Sequence, residues 1–235
     1  MTELKENMAL QERYFVLNGE FIPHYYLCRY TPLSRGFDNL SYSLLRFKKG
    51  EPVDVRAWID CATESFRHIS IPVGALVVRA LHSQEIMSND STPSPLDRLA
   101  GSLAVVIKGY YEPQSLRKTR VNKPLKGLNL QERADALENI YRFHIGGAIE
   151  SLLLVDDIFT SGSTMKAIIA AIRKVTSCPI SIFTLAASGQ SAERGQLSGA
   201  VYTWGSQRGW IQTQEPNASY CTYAMLKSMI EQDFE

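Results

Sequence analysis

Asp156 and Asp157 stand side by side, and Thr160, Ser161, Gly162, Ser163 and Thr164 follow shortly after. Two adjacent carboxylates can accept from vicinal hydroxyls or hold a hydrated divalent cation. A small-residue loop that opens a helix does something different. Its free backbone N–H groups and the positive helix end favour a phosphate, Gly162 permits close backbone approach, and the hydroxyls add donors. Acids and a phosphate cradle this close together suit a phosphorylated sugar, with the acids on its hydroxyl side and the loop on its phosphate. The plainer reading is a capped helix after a strand, with Asp157 and Thr160 as caps. That explains one acid and one hydroxyl but neither the second acid nor the glycine. The segment carries no Gly-Lys-Ser/Thr and no GxGxxG, so it is neither of the common nucleotide loops.

The elements around it must place that segment at the edge of a sheet. Ser151 to Val155 is an apolar run without alternation, as expected for a strand buried on both faces. Met165, Ile168, Ile169, Ile172 and Val175 fall on one face of a following helix, and Ile180 to Leu185 is the next strand. Strand, helix and strand at this spacing predict a parallel sheet. Another buried strand is expected at Gly74–Val78, a helix at Leu96–Ile107, and helices around Leu40–Phe47 and Ile59–Ile69. Asn18-Gly19 between aromatic and β-branched runs predicts a hairpin, with Pro23 placing its second strand at a sheet edge. Ala200–Trp204 suggests a late strand, and Tyr223, Leu226 and Ile230 a terminal helix. The whole reads as an α/β protein: a parallel sheet flanked by helices, with a small hood. The division expected is an N-terminal hairpin or hood over residues 1–37, a core over 38–187 and a C-terminal extension over 188–235.

Residues 108–133 differ from the rest. Seven cations, including Arg117, Lys118 and Arg120, face two acids, and apolar periodicity is absent until Leu137. A long polar segment within a compact domain is uncommon and often functional, and here it reads as a loop that closes over an anion. The balance of the chain is otherwise neutral. A net charge of +1 argues against nucleic acid or anionic membrane as a partner. With 45% hydrophobic and 21% charged residues the composition is globular. No apolar stretch is long enough for a membrane span, no signal peptide is expected at the start, and the cysteines form no CxxC pair. A cytoplasmic protein with free thiols is the expectation. His24, His68 and His144 have no metal spacing with an acid or cysteine and read as structural. Trp204, Trp210 and Tyr202 read as packing residues.

Residues 152–164 resemble the PRPP-binding motif of type I phosphoribosyltransferases: four apolar residues, two acids, two further residues and a Thr/Ser-Gly-x-Thr loop. Asn39 to Gly50, Leu116 to Arg120, Lys123-Pro124-Leu125 and Gln131 to Phe143 are similar to segments of the ComF-like, competence-associated members of that family. The usual N-terminal zinc module has no counterpart here. Val77-Val78-Arg79-Ala80-Leu81-His82 and Ser94-Pro95-Leu96-Asp97-Arg98 depart from the family's pyrophosphate-side segments. The resemblance implies binding of PRPP with Mg2+ and transfer of its 5-phosphoribosyl group to a nitrogenous small-molecule acceptor, with release of pyrophosphate. It implies that Asp156 and Asp157 take the ribose hydroxyls, that Thr160, Ser161, Gly162, Ser163 and Thr164 hold the 5′-phosphate, and that Arg79, Ala80, Leu81 and His82 lie near the pyrophosphate. Arg117, Lys118 and Arg120 would close over it as catalytic cations. No metal ligand would come directly from the protein, save Asp156 and Asp157 through water. A homodimer is compatible with the resemblance. A PRPP-binding accessory or sensor protein without turnover is the alternative, motivated by the altered pyrophosphate-side residues.

Overall fold

The computed structural model describes residues 9–32, 39–67, 69, 71–89, 91–122, 127–188, 197–205 and 209–214. Strands β1 (Ala9–Leu17) and β2 (Glu20–Tyr30) form the expected hairpin. Asn18 and Gly19 sit at φ 52° and 82°, the left-handed pair that a two-residue turn between twisted strands requires. Helices α1 (Asn39–Lys49) and α2 (Pro52–Phe66) follow. Then come β3 (Leu76–Arg79), α3 (Pro95–Val106), β4 (Tyr110–Tyr111) and β5 (Leu116–Lys118). The chain continues with α4 (Leu130–Leu137), β6 (Tyr141–Phe143), β7 (Leu152–Phe159), α5 (Ser163–Arg173) and β8 (Ile180–Ser188). Strands β9 (Leu197–Gly205) and β10 (Gly209–Gln214) close the described chain, while the expected terminal helix lies outside the described residues.

The sheet runs β10-β9-β1-β2-β8-β7-β3-β4. From β2 to β4 every pairing is parallel, and β1, β9 and β10 extend it with antiparallel pairs. The protein is thus a mixed α/β fold with a mostly parallel sheet between helices. Side-chain alternation explains why its strands read as unbroken apolar runs. Leu152 and Leu154 of β7, with Leu76, Val78, Ile180 and Ile182, pack against Ile168, Ile169 and Ile172 of α5. Leu153 and Val155, with Val77, Phe183 and Leu185, pack against Phe47, Trp58 and Leu103 of α1, α2 and α3. Cys28, Cys61 and Cys178 are buried free thiols.

Two sequence expectations are corrected. Strand β2 is interior, pairing with β1 on one side and β8 on the other. Pro23 is tolerated because the parallel ladder with β8 begins one residue later, at His24 opposite Ile182. The hairpin is therefore built into the central sheet, between β9 and β8, with Ile22 and Tyr26 in one core layer and Leu27 and Cys28 in the other. Secondly, the basic segment read as a loop over 108–133 is in part packed: Ser115, Leu116, Lys118 and Asn122 are buried, while residues 123–126 lie outside the described residues. Leu116 is 1% exposed, and Leu116 to Lys118 pair with Phe143 to Tyr141. Alternation along β5 explains what composition hid: Leu116 and Lys118 face inward and Arg117 outward. Among the described residues no helix is long and apolar enough to cross a membrane.

Candidate functional site

The chain order of the strands reverses between β3 and β7. From β3 it passes outward to β4, then returns to lay β7 on the opposite side of β3. In open parallel sheets the crevice beyond the carboxyl ends at such a point is where ligands bind. Both sequence-selected segments, Arg79 to His82 after β3 and Asp156 to Thr164 in and after β7, converge there.

The acids do not follow the strand, as the sequence suggested, but lie within it. Strand β7 pairs with β8 as far as Phe159 opposite Ala187, whereas its ladder with β3 stops at Val155 opposite Arg79. Beyond Val155 one side of β7 is open, and the acids occupy this half-open stretch. Adjacent strand residues point to opposite faces, so the pair straddles the sheet end. Asp157 turns toward the α1 layer, where Lys48 Nζ reaches its Oδ1 and Oδ2 at 3.2 and 3.1 Å. Asp156 lies with the other layer, its Oδ1 accepting from the Asp157 N–H at 2.8 Å. Burial, and then the charge of Asp157, push the Asp156 carboxyl up to about 7. For Lys48, burial is outweighed by the charges of Asp157 and Asp156, and its ammonium titrates above the ordinary range.

The expected phosphate loop has the geometry of an open anion site. Gly162 is the N-cap of α5 at φ 75°, and no side chain caps the helix. Of the N–H groups of its first turn, that of Ser163 donates to Ser161 Oγ at 3.4 Å, and the turn keeps the donor character of a helix start. A Cβ at Gly162 would lie 2.8 Å from Phe159 Cζ and 2.9 Å from Phe15 Cε2. These two rings, 5.4 Å apart and edge to face, form the floor of the loop. Ser161 and Ser163 share a hydrogen bond at 2.9 Å, and Arg133 Nη1 donates to Ser161 Oγ at 3.0 Å. Thr160 is exposed, Thr164 is half-buried, and the Thr160 carbonyl accepts from Ser188 Oγ at 3.4 Å. A groove of about 780 Å³ runs along α5 between α4 and the hairpin turn; it includes Ser161 and Ser163 but neither acid.

The pyrophosphate-side expectations fare differently. Arg79 is 3% exposed and its donors are spent within the protein. Nε and Nη2 reach Asp97, Nη1 and Nη2 reach Glu85, and Nη1 also reaches the Ala80 carbonyl. These five contacts use the five N–H groups of a guanidinium, so Arg79 is a buried cation whose donors are all engaged within the protein. Ala80 and Leu81 are buried, and the Ala80 N–H donates to the Val155 carbonyl at 2.8 Å. His82 is exposed, while its N–H donates to Glu85 Oε2 at 2.5 Å. Lys118 Nζ donates to the His82 carbonyl at 2.7 Å and to Asn122 Oδ1 at 2.9 Å. Burial lowers this ammonium to about 8. Of the three expected closing cations, then, Lys118 is built into the wall of the crevice. Arg117 is exposed and donates to Gln114, and Arg120 is exposed.

Sequence reasoning passed over Lys48 and singled out Arg133 only as one charge of a basic segment. Each comes from a helix remote in sequence, and nothing local to either announces its contact. His24 is structural, as expected: it is fully buried, accepts from Arg13 Nε at 2.9 Å and meets Thr184 Oγ1 at 2.8 Å. Burial, and then the charge of Arg13, hold its pKa well below the ordinary value.

No protein-family model and no curated protein sequence matches the chain. Among solved structures it is similar to two adenine phosphoribosyltransferases. One is from Trypanosoma brucei, in complex with AMP, pyrophosphate and ribose-5-phosphate: identity is 9%, 97% of this chain and 90% of that chain are covered, and the TM-score is 0.33. The other is from Leishmania donovani, with 14% identity over 79% of this chain and 78% of that one and a TM-score of 0.32.

Proposed function

We propose that the chain binds PRPP at the β3/β7 switch point and transfers its 5-phosphoribosyl group to a nitrogenous acceptor. One observation carries the reading. A half-open strand end bearing two acids leads directly into an uncapped helix N-terminus with a left-handed glycine and four hydroxyls. Asp156 and Asp157 take the ribose hydroxyls from the two sides of the sheet end. The N–H groups and hydroxyls of residues 160–164 take the 5′-phosphate, with Arg133 beside them. The acceptor nitrogen forms its bond to ribose C1 as the C1–O bond to pyrophosphate breaks. The bonding pair leaves with pyrophosphate, and the nitrogen's proton passes to solvent. The transition state has oxocarbenium character, and the work of the protein is positioning and charge placement. Mg2+ bound with the ligand would supply neutralising charge at the pyrophosphate, and Asp156 and Asp157 are the residues that would hold it through water.

Calorimetric titration with PRPP and Mg2+ tests the site. The Asp156→Asn/Asp157→Asn protein, confirmed folded by its melting curve, should lose at least about tenfold in affinity, as loss of charge-assisted hydrogen bonds predicts. Unchanged affinity would overturn the assignment.

A second reading is favoured by Arg79. That guanidinium is consumed by Asp97 and Glu85 and Lys118 is engaged by the His82 carbonyl, so two of the cations expected at the pyrophosphate are held within the protein. A protein that binds PRPP as an accessory or sensor, without turnover, fits this. Pyrophosphate release with any nucleobase of a panel decides for the enzyme; saturable binding without release decides for the sensor.

A further inference from the structure

We propose that Lys48 is the built-in counter-ion of the acid pair: it holds the Asp157 carboxylate in place as a hydroxyl acceptor and keeps divalent cations off the free site. The proposal deepens the sugar-binding reading by assigning a specificity role to a residue of α1, outside the acid and hydroxyl segment.

The geometry is that of a chelated ammonium. Nζ lies 3.2 Å from Oδ1 and 3.1 Å from Oδ2 of Asp157, so one fork of the carboxylate is filled by a tethered cation. The second acid is also partly committed, since Asp156 Oδ1 accepts the Asp157 N–H. A divalent cation entering directly would have to displace Lys48 or sit beside its positive charge, and the described residues bring no third acid, histidine or cysteine to compensate. Magnesium or manganese bound by so few protein oxygens relies on waters and on a ligand's phosphates. A diol is treated differently. A carboxylate has about four lone-pair positions, so hydroxyls can donate to the positions of Asp157 that Lys48 leaves open, while the ammonium fixes the orientation of both oxygens. The placement of Lys48 follows from the fold. It is in the last turn of α1, whose Leu44 and Phe47 are buried in the core. Gly50, at φ 83°, ends the helix there, so the ammonium is delivered to the sheet end by a packed element. At 39% side-chain exposure, Lys48 can be replaced without opening the core.

The test uses Mn2+ alone and ribose 5-phosphate alone, on the full chain. By paramagnetic resonance, free Mn2+ should bind Lys48→Met about tenfold or more tightly than the unaltered protein, because a nearby like charge is gone. Lys48→Arg should stay weak, and Lys48→Met/Asp157→Asn should lose the gain. Without metal, Lys48→Met should bind ribose 5-phosphate several-fold more weakly, and Lys48→Arg close to normally. Equal Mn2+ affinity for the unaltered protein and Lys48→Met would overturn the proposal, as would a gain that survives Asp157→Asn. If the unaltered protein binds no ribose 5-phosphate, the sugar-site reading fails, and with it the diol half of the proposal. The Mn2+ series still judges the counter-ion half separately.

Discussion

Arg79 and Asp97 meet fork to fork, Nε to Oδ1 at 2.5 Å and Nη2 to Oδ2 at 3.1 Å, with side chains only 3% and 6% exposed. The pair joins the end of β3 to the start of α3, where Asp97 also closes the capping box with Ser94 and accepts from Ser88 and the Tyr111 hydroxyl. Glu85 holds the other edge of the guanidinium and the His82 N–H, which shapes the turn after β3. Removing one partner of a buried pair strands the other. Asp97→Ala should therefore lower unfolding stability by about 3–5 kcal/mol. Urea denaturation measures it, and a loss below about 1 kcal/mol would show the pair to be dispensable.

Asp97 and Asp156 respond to pH in opposite senses. For Asp97, burial is outweighed by Arg79, Ser94 and Tyr111, and its carboxyl falls from the ordinary 3.8 to about 2. Its contribution is present above the ordinary value and lost as pH falls toward 2. Asp156 is raised from 3.8 to about 7, so between these values the folded state holds a proton that the unfolded state has released. Its contribution is full below the lower value and lost as pH rises through the upper one. Asp156→Asn should therefore be stabilised relative to the unaltered protein at pH 8 more than at pH 4. Urea midpoints at the two pH values check this; a pH-independent difference contradicts it.

Gly162 is required twice over, by its φ of 75° and by the Phe15 and Phe159 rings beneath it. Gly162→Ala should cost about 1–3 kcal/mol of stability through backbone strain. It should also weaken ribose 5-phosphate binding by at least about tenfold, because the loop must shift away from its floor and the N–H groups lose their common aim. Urea denaturation reads the first part, and titration calorimetry on the folded variant the second. Retained affinity would mean that the phosphate is held elsewhere.

Trypsin separates the packed segment from an open one. The segment from about Ser115 to Lys126, within the basic loop, reads from sequence as a mobile lid, yet Leu116 and Lys118 are buried and β5 is paired with β6. A protease needs an extended, unpaired stretch. Cleavage at Arg117 and Lys118 in the free protein should thus be slow and should track global unfolding. Rapid cutting there without ligand would restore the lid.

These residues mark the boundary of what the sequence could disclose. The hairpin was legible because Asn18-Gly19 encodes its turn locally, and the sheet because both-face burial leaves Leu152 to Val155 uniformly apolar. The acids and Gly162 were legible because their spacing lies within one strand–loop–helix unit. Arg79 was misread because its partner Asp97 stands 18 residues away, although Ser94-Pro95-Leu96-Asp97 is itself a capping-box pattern that placed an acid at that helix start. Lys118 was misread because charge was counted over a segment without its period of two. Lys48 meets Asp157 from 109 residues away, a contact that only the tertiary fold creates.

Arg133 joins that class, and it carries the most direct test of the phosphate subsite. Helix α4 begins with a capping box, Asn129 accepting from the Glu132 N–H and Glu132 from the Asn129 N–H. This fixes the first turn and the direction of the next side chain. Arg133 then spans two contacts, Nε to the Leu128 carbonyl at 2.9 Å and Nη1 to Ser161 Oγ at 3.0 Å. A dianion seated on residues 160–164 would meet this guanidinium beside Ser161. Hydrogen bonds to charged groups are worth about 1.5–3 kcal/mol, so Arg133→Met should weaken ribose 5-phosphate binding by roughly tenfold to a hundredfold. Arg133→Lys should recover part of the loss, since it restores the charge without the fork. Affinity for ribose 5-phosphate in the unaltered protein should also fall as pH drops below about 6, where a phosphomonoester gains its second proton, and should fall less in Arg133→Met. Titrations at two pH values for the three proteins read the effect. If Arg133→Met binds as tightly as the unaltered protein at both, Arg133 only braces the Ser161 hydroxyl, and the loop holds its anion with N–H groups alone.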